Sequence, residues 1–414
     1  MNARIAVGFL SAATAALAGV LAQTPAGASS PVLINDSQIH AISTTDGGAS
    51  PLNTDKTVPH WFGQAQDPQN GITYGYNMAG IDPSLNASVT VPTDVIPLNL
   101  VVGGMAFNGS DRVAGLLASP LFQPEDFSTT SAASDASLNR GAGGALSPGN
   151  AGVQLVDAQM RSQFNKAGTG YHLTLATPVV HDAIVVPVSS NHGVVMQNPR
   201  GILFADVGLS WFQSEIGNLL NQGYIDPTHL PIFITNDVVL YSGNNIFNCC
   251  VFGFHGATRS RNGNGNQGVQ TLAWASWLSP GLASQWALQD ISGVSHEISE
   301  WASDPFANNF VAPWQTATAQ FYGCTGKLES GDPAVGIGFS AGTNTVDQGP
   351  APDGVTYADG TYHPQDELLL PWFMRSAPNT ISQPTQTSSV EIGRYSFLGD
   401  LNPFAALRGP ATGC

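Results

Sequence analysis

Short apolar runs alternate along this chain with stretches whose apolar residues recur every three or four positions, and that alternation most restricts its fold. Val95 to Val102, ending in Gly103-Gly104, and Leu230 to Tyr241 read as buried strands, the second with a bulge or break at Asn236-Asp237. Tyr171 to Leu175, Ala183 to Val188 and the aromatic run Thr271 to Trp277 read as further strands. Helical spacing occupies Gly152 to Ala167, with Val153, Val156, Met160 and Phe164 on one side, and Val207 to Leu220. Asp111 to Leu117 reads as a short helix, as does Gln365 to Met374. Strands interleaved with helices imply a mixed α/β (α+β) architecture with a loop-rich C-terminal part.

The ends are organised differently. Arg4, the Ala-rich apolar run Ile5 to Ala22 and the small residues Ala26-Gly27-Ala28 form the pattern of a cleavable signal peptide over residues 1–28. Secretion is therefore expected. Residues 29–91 are polar and turn-rich, and read as a loosely packed arm. Residues 92–414 read as one α/β domain, with halves at 92–245 and 246–414. No later run is long and apolar enough to span a bilayer. With 13 basic against 29 acidic residues the net charge is −16, which disfavours nucleic acid and anionic membranes as partners. A monomer is expected. In an exported chain the four cysteines favour disulfides. Adjacent cysteines close a strained ring, so Cys249 and Cys250 are each expected to pair with one of Cys324 and Cys414. Phe127 to Asn150 and the Gly/Asn-rich stretch Arg259 to Gly268 read as loops.

Only 10% of the residues are charged, yet acids and a histidine gather in His296-Glu297-Ile298-Ser299-Glu300 and in Glu329-Ser330-Gly331-Asp332. On a helix His296 and Glu300 leave the same face one turn apart, and Glu297 lies about 100° round from His296. Ile291, Val294, Ile298 and Trp301 form the opposite, apolar arc. Asp304-Pro305 closes the helix. An acidic arc of this kind is also what a solvent-facing helix shows. Three like charges on one face near the negative pole of the helix nevertheless call for a compensating cation. His296 and Glu300 are the candidate ligands, with Glu329 as the third and Asp332 orienting His296 through its other ring nitrogen, or the reverse. Asp304 is a further candidate. Glu297 is the candidate general base. His255 is a candidate donor to a transition-state oxyanion. His363 is a weaker ligand candidate, and His172, His181 and His192 read as structural.

The run Ser295 to Pro305 followed by Leu328 to Asp332 resembles the S-H-E-x-x-E-x-x-x-D-P … E-x-G-D pattern of secreted bacterial zincin-like metalloproteases. Cys250-Val251-Phe252-Gly253-Phe254-His255-Gly256 resembles the C-G-x-H-G segment of the plant EXORDIUM (phosphate-induced) proteins, with two extra residues between Cys250 and Gly253. The resemblance covers about Leu230 to Trp372. It implies a zincin-like mixed sheet with an active-site helix, His296 and Glu300 as ligands and Glu297 as general base. The plant proteins lack the His-Glu pair, which implies that the scaffold also serves a non-catalytic wall role. The expectation is a secreted zinc peptidase acting on a protein or peptide substrate, with Thr271 to Trp277 pairing with an extended substrate. The alternative is an extracellular matrix protein with a structural cation, for which Ca2+ is suited.

Overall fold

The computed structural model describes residues 56–128, 150–223, 225–243, 245–261, 267–315, 324–376, 395–398, 410–411 and 413–414. The signal peptide, residues 29–55 of the arm, most of the loop expected at 127–150 and residues 262–266 of the one expected at 259–268 lie outside these residues, while 259–261 and 267–268 are paired strand rather than loop.

The elements that position the site are, in chain order, β1 (His60–Gln66), β2 (Thr73–Ala79), β3 (Thr93–Val102), α1 (Leu155–Gln163), β4 (Ile184–Val188), α2 (Leu209–Asn221), β5 (Leu230–Asn236), β6 (Val238–Tyr241), β7 (Gly253–Arg261), β8 (Gln267–Trp277) and α3 (Ser292–Ser303). The fold is α+β and richer in strand than in helix among the described residues. Its main sheet runs β4-β3-β5-β8-β7, parallel except for β7, which runs antiparallel to β8 at the edge. Gly103 and Gly104 both have positive φ and turn β3 back onto Met105–Asn108, a two-residue reversal that suits glycine.

The break expected at Asn236-Asp237 changes sheets. Asp237 takes φ 50°, and its carboxylate accepts hydrogen bonds from the Ser279 backbone N–H and hydroxyl, both at 2.7 Å. Beyond it β6 joins a second sheet of order 193–197, 203–208, β6, 249–251. Two apolar layers result. Phe212 and Ile216 of α2 pack with Phe254 and Trp274 on one face of the main sheet, while Ala273, Ala275 and Trp277 turn to the other face with α3.

Three expectations are corrected. Residues 60–79 are not a loose arm: β1 and β2 form a hairpin that buries Tyr76, Met78 and Ala79 in the core. Aromatic and apolar residues on alternate positions of β2 outweigh the polar composition around them. Thr271 to Trp277 lies inside the sheet between β5 and β7, so its backbone groups are already paired and cannot take up a substrate strand. Cys249 and Cys250, joined by a cis peptide, bridge each other, and Cys324 bridges Cys414 with Cα atoms 5.8 Å apart. The second bridge still ties the C-terminus to the segment before Glu329. No helix among the described residues is long and apolar enough to cross a membrane.

Candidate metal centre

Every residue of α3 is buried. Its apolar arc of Val294, Ile298, Trp301 and Ala302 joins the core, and Trp301 donates to the Thr271 hydroxyl at 3.0 Å. Its polar arc is buried with equal completeness, against β7 and the 329–332 and 365–367 segments. That excludes a solvated acidic face. Asp290 stands before the helix and accepts from the backbone N–H of His363, whose Nδ1 lies 2.6 Å from its other oxygen. His363 thus serves the start of α3 and lies outside the acidic cluster. At the far end Asp304 accepts from the backbone N–H groups of Asn308 and Asn309, both at 2.9 Å. It ends the helix, and it belongs to neither group of side chains placed to share a cation. Asn309 then exchanges hydrogen bonds with the backbone of Asn77, tying β2 to this corner.

Strand alternation puts Gly253 and His255 of β7 on the face toward α3 and Phe254 on the other. Gly253 is a matter of space: a Cβ there would lie 2.5 Å from Oε1 of Glu297. Gly331 is the same device on the opposite wall, where a Cβ would lie 2.5 Å from Nδ1 of His296. The Gly331 and Asp332 backbone N–H groups donate to Oε1 of Glu300, both at 3.2 Å. The acidic turn is thereby held on the motif helix.

Two sets of ligand atoms result, His296 with Glu300 and Asp332, and His255 with Glu300 and Glu329, each within 4.8 Å of one another. In the first, Nε2 of His296 is 3.1 Å from Glu300 Oε1 and 3.5 Å from Asp332 Oδ1. In the second, Nδ1 of His255 is 3.4 Å from Glu300 Oε2, and its Nε2 is 3.9 Å from Glu329 Oε2. Ligands around a tetrahedral ion with bonds of about 2.0–2.1 Å stand about 3.3 Å apart. Glu297 lies between the histidines, with Oε2 3.4 Å from Nδ1 of His255 and Oε1 4.0 Å from Nε2 of His296.

The fit to a cation rests on unpartnered atoms. Nε2 of both histidines, Oε1 of Glu297, Oε2 of Glu300 and Glu329, and both Asp332 oxygens are buried without a hydrogen-bond partner. Buried polar groups are normally paired, and buried charges cost most. Atoms of this kind suit divalent cations, which accept imidazole and carboxylate together. The groups also shift one another's proton affinity. Burial, then the neighbouring carboxylates, pushes Glu329 and Asp332 well above the usual range. Burial also opposes ionisation of Glu300, but the two histidines outweigh it and hold the carboxyl at about 2.

The structure thus gathers His255, His296, Glu297, Glu300, Glu329 and Asp332 within one buried cluster. It groups Asp332, rather than Glu329, with His296 and Glu300. Asp332 faces Nε2 of His296, so it does not orient the ring from behind. That position belongs to Gln365, whose amide nitrogen is 2.7 Å from His296 Nδ1 and donates to the Gly331 carbonyl at 2.8 Å. The same amide nitrogen serves both contacts, so Gln365 fixes the back of the ring against the 331 turn, as side chains behind a metal-facing imidazole commonly do. Gln365 had no sequence signal, being one amide among many. His255 lies among Glu297, Glu300 and Glu329, a ligand position as much as a donor position. His172 and His181 pair with Asp157 and Asp94 at 2.7 and 2.6 Å, and His192 stacks on Trp211.

No family model matches this chain, and no curated protein or solved structure matches it. The resemblance to zincin-like and EXORDIUM proteins therefore stands on its motif residues alone.

Proposed function

We propose that the chain is a metal-dependent hydrolase, secreted and acting on peptide bonds, with zinc held by His296, Glu300 and Asp332. The observation that carries this reading is Glu297, a fully buried carboxylate beside both histidines with one oxygen unpartnered. A purely structural ion has no use for a spare base. One imidazole with two carboxylates suits zinc better than calcium, which prefers oxygen ligands in larger number.

When bound, the cation polarises a carbonyl and brings water's acidity toward neutrality. Glu297 takes a proton from the attacking water at Oε1 and returns it to the leaving amine. Burial raises its affinity for that proton above an ordinary glutamate's. His255 stands against its other oxygen and fixes the carboxylate's direction. Gln365 and Gly331 hold His296 from behind.

The test is Glu297→Gln in protein purified without chelator. The expected result is unchanged metal content with hydrolysis of an unstructured protein lowered about 10²–10⁴-fold. Equal rates in variant and wild type would remove Glu297 from the chemistry. A second reading, an extracellular protein with a structural cation, draws on one observation: the cluster's side chains are only 0–5% exposed. Structural sites are closed, whereas catalytic ones keep a position open. Metal content without hydrolysis of any peptide supports that reading.

A further inference from the structure

We infer that the cluster holds two divalent cations bridged by Glu300, one facing His296 and Asp332 and the other facing His255 and Glu329. This rests on the reading of His296, Glu300 and Asp332 as a cation site and extends it. Three observations carry it.

The first is the division of Glu300. Its Oε1 lies 3.1 Å from His296 and its Oε2 lies 3.4 Å from His255, so the two oxygens of one carboxylate address opposite histidines. A carboxylate used in this way is a bridge. The second is the separation of the ligand sets. Each histidine falls in one set alone, with Glu300 common to both. Neither set of atoms lying within 4.8 Å of one another takes in both histidines, and the ligand atoms of one ion with bonds of about 2.1 Å stand no more than about 4.2 Å apart.

The third is charge. Glu297, Glu300, Glu329 and Asp332 are all buried, and the ion pairs recorded for them are all with the two histidines. With all four carboxyls ionised, as cation binding requires of its ligands, a single divalent cation beside neutral histidines leaves two negative charges in the interior, and two cations balance all four. The unpartnered atoms divide in the same manner. His296 Nε2 and the Asp332 oxygens face one position, and His255 Nε2 and Glu329 Oε2 face the other. The first position offers Nε2 of His296 with two carboxylates, and the second offers the His255 ring edge, with Glu300 beside Nδ1 and Glu329 beside Nε2; imidazole with carboxylates suits zinc, manganese or ferrous iron. Paired ions in hydrolases lie about 3.5–4 Å apart, the span of a bridging carboxylate.

The experiment is metal stoichiometry on the full secreted chain, titrated separately with Zn2+ and Mn2+ and read by elemental analysis after desalting. Wild type is expected to retain two ions per chain, and Glu329→Gln, nearly isosteric, one. Electron paramagnetic resonance of Mn2+-loaded wild type is expected to give an exchange-coupled signal in place of the six lines of an isolated ion. This needs no variant to fold. One ion per chain with the six-line signal overturns the second cation and leaves the first standing. No retained ion overturns both readings. Two ions in wild type and in Glu329→Gln alike overturn the assignment of Glu329.

Discussion

Glycine does as much for this centre as any ligand. At position 331 a methyl group would sit 2.5 Å from Nδ1 and 2.7 Å from Cε1 of His296, so either the ring or the loop must move. Gly331→Ala is expected to weaken cation binding at least tenfold and to cost about 1–3 kcal/mol of stability, as overpacking does. Metal titration and urea unfolding measure the two effects, and unchanged affinity would show that the ring is not held as described. His296, Glu297 and Glu300 were legible in the chain because helical spacing alone puts them on one side. Glu329 and Asp332 were legible as a companion cluster, though not which of them faces His296. His255 was legible as a candidate oxyanion donor but not as a neighbour of Glu300 and Glu329, and Gln365 was not legible at all, because a β-sheet register and a loop far along the chain bring them in.

At the level of elements, α3 shows why amphipathic patterning and solvent exposure are different things. The two arcs were visible in its sequence, and the polar one is buried because edge strand β7 and the segments at 329–332 and 365–367 close over it. The smaller sheet carries a similar buried polar group. Asp206, on the interior strand Leu203–Gly208, is fully buried with neither oxygen hydrogen-bonded, and burial pushes its carboxyl up to about 8. A folded-state value above the unfolded 3.8 means that the folded state favours the protonated acid. The stabilisation from holding that proton is complete below the unfolded value and is lost as pH rises through about 8. Asp206→Asn should therefore show a flatter melting temperature between pH 4 and 9 than wild type, and exceed it at the alkaline end. Parallel profiles across that range would show that the group does not titrate in this way.

For the whole molecule, the candidate cation site lies where distant parts of the chain meet. The hairpin β1–β2 reaches α3 through Asn77 and Asn309, and the Leu368 N–H donates to the Ser330 carbonyl beside the acidic turn. Ligand binding to the native state alone stabilises it by about 2.7 kcal/mol at one hundred times Kd. Dialysis against chelator is expected to lower the melting temperature by several degrees, with recovery on adding Zn2+. A melting curve indifferent to chelator would mean that the cluster's carboxylates are content without a cation.

By itself the sequence determined the alternating elements, the break at Asn236-Asp237 and the helical triad His296, Glu297 and Glu300, all of which follow from periodicity within a dozen residues. Only the tertiary structure decided the cysteine pairing, the burial of the polar arc, the division of ligands between two histidines and the place of Gln365. Those depend on which distant segments pack together, and packing is settled by the summed burial of the whole core rather than by any local pattern.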